Sequence, residues 1–228
     1  MQKDEVIERI RDAFSATPYP GDPFLQGSFD GSEPFEEVGA FAGKNDWRTL
    51  DSKMLDARYC ALDFFSEGGF RFFLPAYLVA DLREELLTAE PLFHLWHGFA
   101  TVSTDVAVGS RTFHRSSGGN RPVNPRRYGA IRWSDYARHR LSVFAREEAQ
   151  AIVTYMTYKR EHSATDLDKS RIDAALREFW SERAENAPTR KELEVHQQEE
   201  AEFYAALQGE ASPRGTETLG KKKGDNDG

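Results

Sequence analysis

The sequence predicts a mainly α-helical, single-domain protein with an irregular Arg-rich insertion and a short β element near 101–108. Three observations carry that prediction. Apolar residues recur at helical spacing, most clearly from Asp168 to Arg183, where Ile172, Ala175, Leu176, Phe179 and Trp180 share one face. The stretch from Leu62 to Leu78 holds five of the chain's 16 phenylalanines, enough to found a core. Finally, 228 residues with 39% hydrophobic and 12% aromatic side chains suit one large domain, despite 30% charge.

The elements follow in order. Lys3 to Phe14 reads as an amphipathic helix with Val6, Ile7, Ile10 and Phe14 on its buried face. Pro18, Pro20, Gly21 and Pro23 end it in a turn-rich loop. Ser32 is the expected cap of a short helix with Pro34 in its first turn; Phe35, Val38 and Phe41 are its buried residues, and Gly43 closes it. Trp47, Leu50, Met54, Leu55 and Leu62 continue the apolar pattern through another short helix. Ser66 caps a helix starting at Glu67. Because a proline deep in a helix removes a hydrogen bond, the expectation is a bent pair of helices meeting at Leu74–Pro75, the second running to about Leu87. Leu92 to Phe99 reads as a helical turn or a short strand, and Thr101 to Val108 as a strand. Residues 109 to 130 read as a long loop. Structure resumes at Trp133, and a strong helix spans about Arg146 to Glu161, with Glu147 and Glu148 at its positive end and Lys159 and Arg160 at its negative end. Thr189 and Glu192 form a capping box for a last helix to about Leu207. The domain limits expected are therefore a helical domain over 1–185 with a loop insertion at about 109–132, a loosely attached C-terminal helix over 189–207, and a disordered polar tail over 209–228.

Composition narrows the function classes. No apolar run approaches the roughly 20 residues that span a bilayer, and the N-terminus lacks a basic-then-apolar leader, so a cytoplasmic protein with no membrane association is expected. Cys60 is the single cysteine, which leaves no internal disulfide and no Cys-rich metal site. It reads as a small core residue. The net charge of −8 is unevenly spread: residues 110 to 146 carry nine arginines and one acid, Asp135, between two acidic flanks.

The chain contains no phosphate-cradling Gly-rich loop, no His-Glu-x-x-His pair and no Gly-x-Ser-x-Gly elbow, so no catalytic residue is assigned. His94 and His97 share a face if their segment is helical, with His114 as a third imidazole; the expectation is two histidines at the core edge, with no metal and no cofactor. Asp166, Asp168, Ser170 and Asp173 resemble a calcium loop only superficially, since the central Gly and terminal Glu are missing, and helix capping explains them. The candidate binding residues are Arg111, Arg115, Arg121, Arg126, Arg127, Arg132 and Trp133, a set suited to phosphate contacts and base stacking. An acidic chain argues against nucleic acid as the main partner, and the plain reading of these arginines is pairing with the acidic flanks.

Several segments together resemble an uncharacterised family of small bacterial proteins, a domain of unknown function. They are Ala13-Phe14 followed by Tyr19-Pro20-Gly21-Asp22, Gly43-Lys44 with Trp47 and Leu50, and the run Phe70 to Leu78. Ala151-Ile152-Val153 with Tyr155 and Tyr158-Lys159, and Ala175-Leu176 with Phe179-Trp180, complete the set. The resemblance covers about 3–90 and 140–183, implies a mostly helical bacterial domain, and transfers no catalytic residue. The expected function is that of a non-enzymatic accessory protein, of the immunity or defence-associated kind, that binds another protein. Two alternatives stand beside it: nucleic-acid or phosphate-ligand binding through residues 110–146, and an enzyme with an unrecognised His/Arg site.

Overall fold

The computed structural model describes residues 1–100, 102–109, 111–117 and 132–195. It is mainly helical, with one two-stranded antiparallel sheet among the described residues. The described residues among 1–189 form one compact unit, and residues 190–195, which are helical, belong to a second. Residues 196–207 of the expected last helix and the expected tail over 209–228 lie outside the described residues.

Helix α1 (Lys3–Ala13) begins where the Gln2 amide donates to Glu5 Oε2 at 3.1 Å, and it buries Val6, Ile7 and Ile10 as the spacing predicts. Helix α2 (Glu33–Gly39) carries Pro34 in its first turn, but Ser32 makes no side-chain cap. Phe35, expected inside, is 54% exposed, while Pro34 and Val38 face the core. With only seven residues, α2 buries a stripe one residue wide, and Phe35 follows Pro34 around to the open side. The expected single helix after Trp47 is broken instead into a 3₁₀ turn (Trp47–Thr49), α3 (Ser52–Ala57) and α4 (Ala61–Phe64).

Helix α5 (Glu67–Leu82) is the axis of the fold, with 12 of its 16 residues buried. Ser66 caps it by accepting from the Gly69 amide at 3.0 Å, and its hydroxyl also donates to the Phe24 carbonyl at 2.6 Å. The expected break at Leu74–Pro75 is absent: Pro75 sits inside one continuous helix that ends at Leu82, not Leu87. A proline there costs the Arg71 carbonyl its i+4 partner, yet a helix with 12 of its 16 residues buried is held by packing over most of its circumference. Phe73 alone meets Phe41 at 4.8 Å, Phe65 at 5.0 Å and Phe72 at 4.9 Å between ring centroids.

The start of α5 is also a close crossing of two chain segments. Gly27 N donates to Phe64 O and Ser66 N to Leu25 O, both at 2.7 Å, around a bridge between Gln26 and Phe65. A Cβ on Gly27 would stand 2.6 Å from the Phe65 carbonyl oxygen, and one on Gly69 2.8 Å from that of Leu25, so only glycine fits either position.

Residues Pro91–Trp96 are helical (α6), which settles the ambiguity of that segment. Strand β1 (Val102–Val108) lies where expected, but residues 111–117, expected as loop, form its partner β2 (Arg111–Ser117). The register pairs Val102 with Ser117 and Val108 with Arg111, and Gly109 at φ +64° enters the turn. The alternation of Thr112, His114 and Ser116 carries too little apolar content to signal a strand; pairing with β1 supplies the backbone partners that composition does not.

Helices α7 (Trp133–Leu141), α8 (Arg146–His162), α9 (Asp166–Ala175) and α10 (Ser181–Asn186) complete the unit, with a π-turn at Leu176–Trp180 joining the last two. Helix α8 packs on α1, α9 and α10, and α5 on α1, α3 and α6. Two buried indoles bridge elements: Trp180 Nε1 donates to Leu95 O at 2.9 Å and Trp47 Nε1 to Phe14 O at 3.3 Å.

Candidate functional site

An open cleft of about 670 Å³ lies between the C-terminal end of α5, the loop 83–90, α6, the end of α8 and the start of α9. Its apolar wall is built by Leu82, Leu86, Leu92, Phe93, Trp96 and Ile172. Its rim is charged, with four carboxylates (Asp81, Glu84, Glu90, Asp168) against two permanent cations, Lys159 and Arg171. That volume and that mixture of an apolar wall with a few placed polar groups suit a ligand site.

The cleft exists because of how α5 ends. The Glu85 amide donates to Ala80 O and the Glu84 amide to Asp81 O, with Glu84 at φ +61°. This is the left-handed helix stop that glycine normally provides, here carried by a glutamate. The chain then turns through a loop that one side chain holds: Asp56 of α3 accepts from the backbone amides of Leu87 (2.9 Å), Thr88 (2.7 Å) and Ala89 (3.0 Å). Those three bonds hold the Asp56 carboxyl below the usual carboxylate range. Leu87 stands at the lip with 93% of its surface exposed, an apolar side chain held outward on an ordered loop.

Asp81, Lys159, Asp168 and Arg171 of the cleft are engaged with one another or with adjacent side chains. Tyr155 donates to Asp81 Oδ2 at 2.6 Å, and Lys159 Nζ lies 2.9 Å from the same oxygen. Burial, then the Asp81 charge, pushes the Tyr155 phenol well above its ordinary range, so it remains a donor. Arg171 pairs with Asp168 at 3.1 Å and lies 4.7 Å from the Trp96 ring centroid. The Tyr158 and His162 rings stack at 4.0 Å, and His162 Nδ1 is 2.8 Å from Tyr158 O. The arrangement is one of fixed charges and apolar surface, a binding geometry with no poised nucleophile and base among these residues.

The residues singled out in the sequence are scattered relative to this cleft. Arg111 is exposed at the end of β2, Arg115 lies on β2 opposite Thr104, and Arg132 is the exposed residue preceding α7, its amide donating to Asp135 at 3.1 Å. Trp133 is the first residue of α7. Arg121, Arg126 and Arg127 lie outside the described residues. Other arginines of the basic stretch serve the fold: Arg140 caps the Leu62 carbonyl and lies 4.7 Å over the Phe70 ring, Arg138 lies 5.8 Å over Phe99, and Arg146 Nε donates to Ala187 O at 2.8 Å.

His94 is buried beside Phe70, 3.5 Å from Asp63, and burial with the nearby Arg140 drives its pKa down to about 3. His97 stacks on Phe93 at 4.4 Å. His114 lies on β2 opposite Asp105. Among the described residues no group of three His, Cys, Asp or Glu side chains could hold a metal ion. Asp168 and Asp173 pair with Arg171 and Arg160, and the Thr165 hydroxyl accepts from the Asp168 amide at 3.0 Å, so the acidic segment 166–173 is the cap and flank of α9. The Cys60 thiol is raised by burial and by Glu37 and Asp63, the opposite of an activated nucleophile.

Sequence reasoning missed Asp56, Asp81, Leu87 and Arg171. The one signal available was the Thr88-Ala89-Glu90-Pro91 punctuation after α5, which marks a loop but not what holds it.

Residues 2–98 match a family of unknown function (DUF6714). The matched range takes in α1 to α6 and with them Asp56, Leu87 and one wall of the cleft. It stops before α8 and α9, which supply the opposite wall, so the 140–183 part of the resemblance lies beyond it. No curated protein and no solved structure matches the chain. Among the described residues no helix is long and apolar enough to cross a membrane.

Proposed function

We propose that this is a non-enzymatic accessory protein of the bacterial cytoplasm that acts by binding another protein through the cleft beside Leu87. The observation that carries this reading is Leu87 itself. Three hydrogen bonds to the Asp56 carboxylate order the loop and leave a leucine side chain in water. Exposed and ordered apolar side chains next to an apolar hollow are what a protein interface uses as an anchor. The neighbouring floor of Leu92, Phe93 and Trp96 would receive an apolar side chain of the partner in return, with Glu84 and Glu90 at its edge.

Enzymatic use of the cleft is disfavoured by the same geometry, since Lys159, Tyr155 and Asp81 satisfy one another. Nucleic-acid binding would rest on Arg111, Arg115 and Arg132 together with arginines outside the described residues, because Arg138, Arg140 and Arg146 cover rings or bond carbonyls.

The test is affinity purification from the native host with wild-type protein and the Leu87→Asp variant, alongside native mass spectrometry. A protein retained in stoichiometric amount by the wild type and lost with Leu87→Asp supports the reading. Recovery of the same proteins by both, or a small molecule carried through purification, overturns it.

A further inference from the structure

Away from the cleft, Phe29 in the segment before α2 and Phe35 in its first turn form a second exposed apolar surface. Phe29 is 67% exposed and Phe35 54% exposed, and their rings meet edge to face at 6.2 Å. Two phenyl rings in contact with each other and largely in water form a patch of the kind that marks an interaction site. The surrounding sequence is acidic. From Arg11 to Lys44 the chain has no other basic side chain, and it holds six carboxylates: Asp12, Asp22, Asp30, Glu33, Glu36 and Glu37. Asp30, Glu33 and Glu36 are exposed and form no ion pair among the described residues. Glu37, turned inward, lies 3.8 Å from Arg58 and accepts from the Cys60 backbone. The repulsion is already felt within the fold: burial first, then Glu33 and Glu36, raise the Glu37 carboxyl against the pull of Arg58.

We infer that the Phe29–Phe35 pair at the start of α2 docks a cationic segment of a partner protein, its apolar side chains on the two rings and its arginines or lysines on the neighbouring carboxylates Asp30, Glu33 and Glu36. Charge complementarity selects this occupant. An acidic or neutral apolar segment would leave the carboxylates desolvated without partners, whereas a guanidinium both neutralises them and lies favourably on a phenyl face. The surface is independent of the cleft and of the reading based on Leu87.

The experiment uses the full chain and two fluorescent helical peptides of matched leucine pattern, one with arginine and one with glutamate on the polar face, read by anisotropy. The arginine peptide should bind and the glutamate peptide should not. Phe29→Ser/Phe35→Ser and Glu33→Lys/Glu36→Lys should each weaken binding about tenfold or more with unchanged far-ultraviolet circular dichroism. Leu87→Asp should leave binding as it is, which separates this surface from the cleft. Equal binding of both peptides overturns the inference, and so does binding indifferent to the phenylalanines. A concentration-dependent dimer lost in Phe29→Ser/Phe35→Ser would also overturn it, by making a second copy the occupant.

Discussion

Glu148, at the first turn of α8, has no exposed side-chain surface and lies 2.8 Å from Nε of Arg71 in the middle of α5. Its other bonds come from the Thr17 hydroxyl at 2.6 Å and from the Ala145 amide at 2.8 Å, so one carboxylate ties the segment after α1, the central helix and the start of α8 together. Removing one member of such a set strands a buried charge. Glu148→Ala should cost about 3–5 kcal/mol in chemical denaturation, and Arg71→Ala should be similarly costly. The two costs should fall well short of additive in the double variant, because the second removal strands nothing new. Additive losses would show that the two side chains act separately.

The crossing at the start of α5 makes a second prediction. Gly69→Ala puts a methyl 2.8 Å from the Leu25 carbonyl oxygen and 3.1 Å from the ring of Phe65, which is itself buried against Phe41 and Phe73. We expect a loss of roughly 2 kcal/mol or more, within the range for overpacking. Gly39→Ala is the control: it lies in α2 with nothing within 4 Å of the added carbon, and should gain about 0.5–1 kcal/mol from helix propensity. If both substitutions are neutral in thermal unfolding, the close approach is not a constraint.

His94 gives the protein a pH dependence whose direction is testable. A pair with Asp63 at 3.5 Å would suggest a charged imidazole, but burial and Arg140 favour the neutral ring. The unfolded chain then takes up a proton below the ordinary histidine value of about 6.5, while the folded chain does not until about pH 3. Stability from this group is therefore complete above about pH 6.5 and is lost on acidification, by on the order of 2 kcal/mol between pH 7 and 5. His97, also lowered by burial, adds in the same direction. Glu37 and Asp63, whose carboxyls are raised, oppose it only in the carboxylate range, so the slope is read above about pH 5. His94→Gln should flatten the curve of denaturation midpoint against pH. A wild type that is more stable at pH 6 than at pH 7 would mean that the ion pair, not burial, governs this site.

The lip of the cleft offers a fourth test. Asp56→Ala removes the acceptor of three amides, and hydrogen exchange at Leu87, Thr88 and Ala89 should accelerate strongly while exchange in α5 is little changed. Glu84→Gly should leave the loop in place and stabilise the chain by up to about 1 kcal/mol, since glycine enters the left-handed region without steric cost. Unaltered exchange in Asp56→Ala would mean that packing alone orders the loop.

The periodic segments were legible because their cause is local. α1 and the stripe from Ile172 to Trp180 bury the faces that their spacing assigns, with Leu176 half-buried, and Ser66 caps α5 through a bond spanning three residues. The candidate site was not legible for the opposite reason. Asp56 reaches the amides of residues 87–89, Tyr155 and Lys159 reach Asp81, and Trp180 reaches Leu95 across separations of 31 to 85 residues. No local pattern marks a carboxylate whose partner lies on another helix.

By itself the amino-acid sequence determined the class of the fold, most helix positions and the aromatic core, because burial of regularly spaced apolar side chains is enforced residue by residue along each helix. Only the tertiary structure decided that Pro75 is tolerated inside α5, that Phe35 faces water and not the core, that 111–117 pairs as a strand, and that a cleft opens beside Leu87. Each of these is settled by what a neighbouring segment offers: packing over most of the circumference of α5, a core face of α2 already filled by Pro34 and Val38, backbone partners on β1, and the carboxylate of Asp56.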